Sequence, residues 1–239
     1  MESLEPVNLV AKTSSHSFIL MNKGLVGIKQ AHELYNYCWH PLIISFDRFI
    51  ELVSNTSTII AIDSDRKIKG MITFMRLDLP EDQLCLLTYD KLVSLKEKNV
   101  TKSIGDFLVC ISICGPNYKQ EPVPQINFIP KVQEVEEYLK SGKDGVFNFH
   151  TKPKGGFDIG AELIKIMPES RPKDKRSLGY NMLLKYPKII QEVYLTEGAS
   201  VATQLIEAVM QVGWQLGIKN VYAFSRPAGL AKYLSKRVV

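Results

Sequence analysis

No stretch of the 239 residues stays apolar for the roughly 20 positions that a membrane-spanning helix needs, so no helical membrane span is expected within it. Its first residues, Met1-Glu-Ser-Leu-Glu-Pro6, have neither the basic start nor the apolar core of a secretory leader. Cysteine is scarce. Cys38, Cys85, Cys110 and Cys114 do not follow the spacing of a disulfide framework, and a cytoplasmic protein is expected. Histidine is scarce too: His32 and His40 flank Cys38, but no second ligand pair stands at helical or knuckle spacing, so no metal centre is expected. No Gly-x-Ser-x-Gly elbow occurs, which disfavours a Ser-His-Asp hydrolase. Internal repeats and low-complexity tracts are also missing.

What is present fits one globular domain with a full core. Hydrophobic residues make up 45% of the chain and charged residues 23%, the balance of an ordinary soluble fold. The net charge of +5 suits acidic partners such as phosphates or an acidic protein. Nucleic acid is not expected, because the basic runs Lys152-Pro-Lys154 and Arg171 to Arg176 lack interleaved aromatic platforms. Lys152 and Lys154 read as a solvated loop.

Along the chain, residues 27–37 and 46–53 have the spacing of two short amphipathic helices, separated at Cys38-Trp-His-Pro41 by the proline. Residues 58–62 and 68–75 read as strands around the turn Asp63-Ser-Asp-Arg-Lys67. The polar stretch 82–101 reads as a loop or lid. Phe107 to Cys114 is an apolar run of strand length, with Cys110 and Cys114 expected on one core-facing side. It ends at Gly115-Pro-Asn-Tyr-Lys119. Val146-Phe-Asn-Phe-His150 reads as a strand with His150 at its end, where site residues often emerge.

The most informative feature is the small-residue turn Gly198-Ala-Ser-Val-Ala202, which opens a helix running towards Gly217. Small residues let backbone N–H groups approach an anion, and a helix N-terminus adds partial positive charge. Val201, Leu205, Val209, Val212 and Leu216 recur at helical spacing and mark a face that packs on a sheet. Gly217 is placed to close the helix in a left-handed turn. The strand Asn220-Val-Tyr-Ala-Phe-Ser225 follows at once.

A buried strand ending in a Pro-x-Tyr-basic turn, and a small-residue loop opening a helix, resemble the acyl-CoA-binding half of the GNAT acetyltransferase superfamily. There the turn runs straight into the loop; here Gln120-Glu-Pro-Val-Pro124 follows Lys119 instead. Joining Lys119 to Gly198 restores the pattern, with Ser200 replacing one glycine. As written, Glu197 holds the basic position, where a carboxylate would repel a diphosphate. The resemblance thus covers most of the chain as one domain, 1–239, whose segments in family order would run 1–119, 198–239, 120–197. A milder alternative keeps the written order, with 189–195 as the strand before the helix and 80–188 as an insertion. Either way the implied fold is α/β (α+β): a mixed central sheet flanked by helices, mostly antiparallel, with a parallel splayed pair, 107–114 beside 220–225.

The pattern Phe-His, Gly-Ala, Arg-Pro and Ser-Leu-Gly-Tyr over residues 149–180 is similar to one branch, the GNAT-like loading domains of polyketide synthases of the curacin type. That branch decarboxylates malonyl-CoA and passes the acetyl group to the phosphopantetheine thiol of an acyl carrier protein. By resemblance, His150 and Ser225 are the catalytic positions, and Trp39 and Arg171 line the acyl pocket. Ile111, Ile113, Lys119, Gly198, Ala199, Ser200, Val201 and Ala202 would bind a coenzyme A thioester, malonyl-CoA or acetyl-CoA. Ser225 stands where the branch has threonine, and the stretch 152–158 intrudes between His150 and Gly160-Ala161 and could displace the histidine. A core role for Trp39, and for Arg171 a turn role paired to Asp174, remain open. An amine N-acetyltransferase and a catalytically silent interaction module are the alternative functions.

Overall fold

The computed structural model describes residues 9–21, 27–95, 105–115, 122–152 and 160–237. Elements follow in the order β1 (Leu9–Lys12), β2 (Ser17–Leu20), α1 (Ile28–Trp39), α2 (Phe46–Asn55), β3 (Ser57–Ile62) and β4 (Ile68–Leu77). Then come α3 (Glu81–Leu84), α4 (Tyr89–Ser94), β5 (Phe107–Cys114), α5 (Val132–Lys140) and α6 (Gly145–Thr151). The chain continues through β6 (Glu162–Met167), β7 (Asn181–Lys185), α7 (Val201–Gln215), β8 (Asn220–Ser225) and α8 (Leu230–Ser235). The strands form one sheet in the order β1-β2-β3-β4-β5-β8-β7-β6. Every neighbouring pair is antiparallel except β5 and β8, which run parallel. This is the mixed, helix-flanked α/β sheet expected, with the expected parallel pair at its centre.

Helix α7 lies across one face of the sheet, over β3, β4 and β5. Its approach depends on Gly70 of β4: a Cβ there would stand 2.7 Å from Val201 Cγ1 and 3.0 Å from both Leu205 Cδ1 and the Cys114 carbonyl. The helix closes as expected at Gly217, whose φ is +70°. The Ile218 N–H reaches back to the Gly213 carbonyl and the Gly217 N–H to Trp214, the paired bonds of a Schellman end. Leu216, expected on the core face, is exposed, because the chain has already left the helical path there. The helix is buried from Thr203 to Gly213 because residues 192–196 strap over its polar side. Buried Glu207 accepts from the N–H and Oγ1 of Thr196 at 2.8 and 2.7 Å, and Gln204 donates to the Thr196 carbonyl. The stretch 189–195 is therefore a strap and not a strand.

On the other face, α1 and α2 cover β3 and β4 through Tyr35, Trp39, Phe49 and Met71. The stretch 82–95, expected as a loop, forms α3 and α4, whose Leu84 and Leu92 are fully buried against Val109, Leu183 and Phe224. Residues 96–101 lie outside the described ones.

Two further expectations are corrected. Thr73 pairs with Ser112 and Phe74 with Cys110, leaving Ile111 unmatched on β4. This bulge shifts the side-chain alternation by one. Cys110 therefore packs in the α7 core and Cys114 in the α1 core on opposite faces. Residues 146–150 are helical, in α6, because Asp144 caps them: its Oδ1 accepts from the Phe147 N–H at 2.6 Å. Its Oδ2 accepts from Tyr138 Oη and the Gly229 N–H, tying α5, α6 and α8 together.

Candidate active site

Pairing between β5 and β8 runs only from Phe107/Asn220 to Cys110/Ala223. Beyond that point the strands part, aided by the bulge at Ile111, and a cleft of about 390 Å³ opens between them. Ile111 to Gly115 form one wall, Ala223 to Arg226 the other, with α6 along a third side and the start of α7 at one end. Eight of the sequence-expected positions meet here: Trp39, Ile111, Ile113, His150, Ser200, Val201, Ala202 and Ser225. The walls are mostly aliphatic and aromatic, and no Asp or Glu stands among the described lining residues.

At the α7 end, Ser200 caps the helix by accepting from the Thr203 N–H at 3.2 Å. The first bond of the helical ladder runs from Gln204 to the Ser200 carbonyl. The N–H groups of Val201 and Ala202 precede it and carry the positive end of the helix into the cleft. Gly198 and Ala199 do not line the cleft. Gly198 supplies the turn at φ +73°, and the Ala199 N–H is spent on the Thr196 carbonyl. The Glu197 carboxylate is engaged by the N–H and hydroxyl of Ser14 at 2.9 and 2.7 Å, in the β1–β2 turn. Lys119 lies outside the described residues.

His150, on α6 and not at a strand end, is 5% exposed, and its Nδ1 lies 2.6 Å from Tyr186 Oη. With the stretch 152–158 following it, His150 still lines the cleft. The Ala161 N–H donates to the His150 carbonyl at 2.8 Å, and a Cβ on Gly160 would stand 1.9 Å from the Thr151 carbonyl. The chain leaves and re-enters at one point, and only a glycine fits the return. Burial, with Cys110 as a lesser influence, holds the Tyr186 phenol well above its usual range, so it is neutral across the working pH range.

At the inner end, two guanidinium groups lie over the Trp39 ring, Arg171 at 4.6 Å and Arg226 at 4.5 Å from its centroid. Arg226 lines the cleft and is paired with buried Asp174 at 3.0 Å. Arg171 meets Asp174 through backbone alone: the Asp174 N–H donates to the Arg171 carbonyl at 2.9 Å, closing a turn, and among the described residues the Arg171 guanidinium makes no ion pair with that carboxylate. Arg171 is 5% exposed, stacks on Tyr89 at 3.4 Å and donates from NH2 to the carbonyl of bulged Ile111 at 3.4 Å. Its Nε has no partner among the described residues. Arg171 opens onto a second cavity of about 220 Å³, and Trp39 is a wall of both. Cys38 also faces the cleft. A hydrogen bond from Cys114 holds its thiol below the usual range, against the effect of burial, while burial drives Cys114 well above.

Sequence reasoning missed Arg226, Tyr186 and Cys38. Arg226 and Tyr186 each follow directly on a strand end, at Ser225 and Lys185, which is the available signal; Cys38 has only its place beside Trp39.

No protein-family model matches the chain, and no curated protein matches it. Among solved structures it is similar to the crystal structure of the loading GNATL domain of CurA from Lyngbya majuscula. The identity is 17%, the match covers 71% of this chain and 96% of that one, and the TM-score is 0.43. No helix of the described residues is long and apolar enough to cross a membrane.

Proposed function

We propose that the protein is an acyl-CoA-dependent acyltransferase that decarboxylates malonyl-CoA and transfers the acetyl group to the phosphopantetheine thiol of an acyl carrier protein. The observation that carries this reading is the cleft between the parted ends of β5 and β8, with a helix N-terminus at one end and Trp39 with Arg226 at the other. The N–H groups of Val201 and Ala202 suit a diphosphate, and the aliphatic walls suit a pantetheine arm. At the inner end Arg226 is held by Asp174, while the Arg171 guanidinium, on the other side of Trp39, offers a positive charge to an acyl group that bears a carboxylate. Arg171 has no ion pair among the described residues, and a malonyl carboxylate would meet it only if Trp39, the wall between the two cavities, turns aside.

In this chemistry the bond between the malonyl methylene and its carboxylate breaks and CO2 leaves. The electron pair becomes a thioester enolate, and carbon takes a proton from His150, which recovers one from water. His150 and Ser225 supply hydrogen bonds to the developing oxyanion. The carrier thiol then attacks the acetyl carbonyl and coenzyme A leaves as its thiol. An amine acetyltransferase would call for a carboxylate or a water path to deprotonate the amine, and the described lining holds no carboxylate.

Mass spectrometry of a phosphopantetheinylated carrier incubated with malonyl-CoA and this protein tests the reading; acetyl on the carrier thiol is expected. His150→Ala should slow decarboxylation by ~100-fold or more while CoA affinity changes little. Ala202→Leu should weaken CoA binding strongly, because a bulky side chain would stand where the diphosphate approaches. Acetylation of small amines without acetylation of the carrier would overturn the proposal.

A further inference from the structure

We infer that Tyr186 is a positioning residue for His150: its phenol fixes the imidazole proton on Nε2 and so makes His150 a hydrogen-bond donor, not a base, in the resting cleft. This rests on the acyltransferase reading for its catalytic meaning, though not for its geometry.

Both rings are held from behind. The Tyr186 N–H donates to the Val221 carbonyl at 2.9 Å, fixing the residue just beyond β7 against β8. The His150 carbonyl accepts from Ala161, and its ring meets Phe149 edge-on at 5.0 Å. The two rings lie 6.1 Å apart, steeply tilted, with Oη and Nδ1 at 2.6 Å. Tyr186 is 6% exposed, and among the described residues its hydroxyl has no other hydrogen-bond partner.

The direction of that bond follows. A buried O–H left without an acceptor costs roughly 1–3 kcal/mol, so the phenol must donate, and Nδ1 is the acceptor available to it. Nδ1 then carries a lone pair, and the neutral ring keeps its proton on Nε2. Protonating Nδ1 would force the phenol to turn from donor to acceptor and orphan its own O–H. The contact therefore favours neutral imidazole over imidazolium. The other titratable or charged groups among the described cleft residues are Cys110 and Cys114 of β5, Cys38 of α1 and Arg226. The outcome suits an enolate-forming reaction, since a neutral N–H donor can stabilise the oxyanion without first giving up its proton to bulk water.

The test is ¹⁵N-detected imidazole NMR on the full chain, with the His150 signals assigned by their loss in His150→Gln. Wild-type protein at neutral pH should show a protonated Nε2 and an unprotonated Nδ1. Tyr186→Phe, which keeps the ring and removes the hydroxyl, should raise the His150 titration midpoint by ~1 pH unit, the size expected for one lost hydrogen bond. It should also cut malonyl-CoA turnover by ~10-fold with little change in KM, and shift the pH profile accordingly. A wild-type ring protonated on Nδ1 overturns the inference without any variant, as does a midpoint unmoved in a folded Tyr186→Phe protein. If wild type turns over no malonyl-CoA, the acyltransferase reading fails while the NMR result still decides the role of Tyr186.

Discussion

Asp174 shows how one buried side chain organises the inner end of the cleft. Its Oδ2 accepts from Arg226 and its Oδ1 from the Arg176 N–H, both at 3.0 Å, and it is 1% exposed. Removing one partner of such a pair leaves an uncompensated charge, so Arg226 is held by structure as much as it is offered to a ligand. Cys110 illustrates a different residue-scale effect. Burial pushes its thiol up to about 12, whereas the unfolded thiol ionises near ~8.5. The folded form then keeps its proton after the unfolded form has lost it. This contribution to stability is intact below the unfolded pKa and declines as pH rises towards the folded one. Between pH 8 and pH 10 the loss from this one thiol should be roughly 2 kcal/mol. Urea unfolding at the two pH values should show Cys110→Ala losing less stability than wild type by about that amount, whatever its baseline. Parallel losses in both proteins would mean that the thiol ionises as readily folded as unfolded.

Among elements, the contact of α7 with β4 sets the width of the cleft, because the helix N-terminus and the bulged strand are two of its walls. Gly70→Ala would place a methyl 2.7 Å from Val201 Cγ1 and 3.0 Å from the Cys114 carbonyl, and backbone cannot yield as a side-chain tip can. The cost should be ~1–3 kcal/mol, the usual range for overpacking, with a lowered Tm in calorimetry and weaker CoA binding. An unchanged Tm would show that α7 can slide on the sheet without penalty. At this scale the sequence was legible where helical spacing or an apolar run of strand length marked an element. Helices 28–39 and 46–55 and strands 57–62, 68–77 and 107–114 follow their apolar spacing. It was misleading at Val146-Phe-Asn-Phe-His150, whose alternation imitates a strand until the Asp144 cap is weighed. The face of Cys114 could not be read at all, since it depends on a bulge with no glycine to announce it. In the cleft, Trp39, His150, Ser225 and 200–202 converge as expected, while the isolation of Arg171 behind Trp39 depends on how Tyr89 and Trp39 stack around it.

For the molecule as a whole, the decisive fact is that β8, the last strand in sequence, is central in space. It bridges β5 to the β7–β6 hairpin, so the first five strands and the next two belong to one sheet only through it. Strand neighbours, and not chain order, define such a sheet, and surface connections can be rerouted at modest entropic cost when their ends are close. The alternative junctions would join 119 to 198 and 239 to 120, of which 119, 120 and 239 lie outside the described residues; the described residues give the surroundings of their flanks. Gly115, near one junction, lines the same cleft as Ser200 to Ala202 near the other side of it. Arg237 lies 4.0 Å from Glu137 on α5, and Tyr233 of α8 stacks on Tyr138 at 4.7 Å. A chain rebuilt in the order 1–119, 198–239, 120–197 would make β5, α7 and β8 consecutive and should keep every strand pair. It should fold cooperatively, with a Tm close to that of the written order and the same response of CoA binding to Ala202→Leu. The rebuilt chain should also fold faster, because the parallel pair is then formed across a short crossover, with far less intervening chain. A rebuilt chain lacking a cooperative transition, under conditions where the written order folds, would show that the strap at 192–196 and the loops now cut are part of what holds the cleft together.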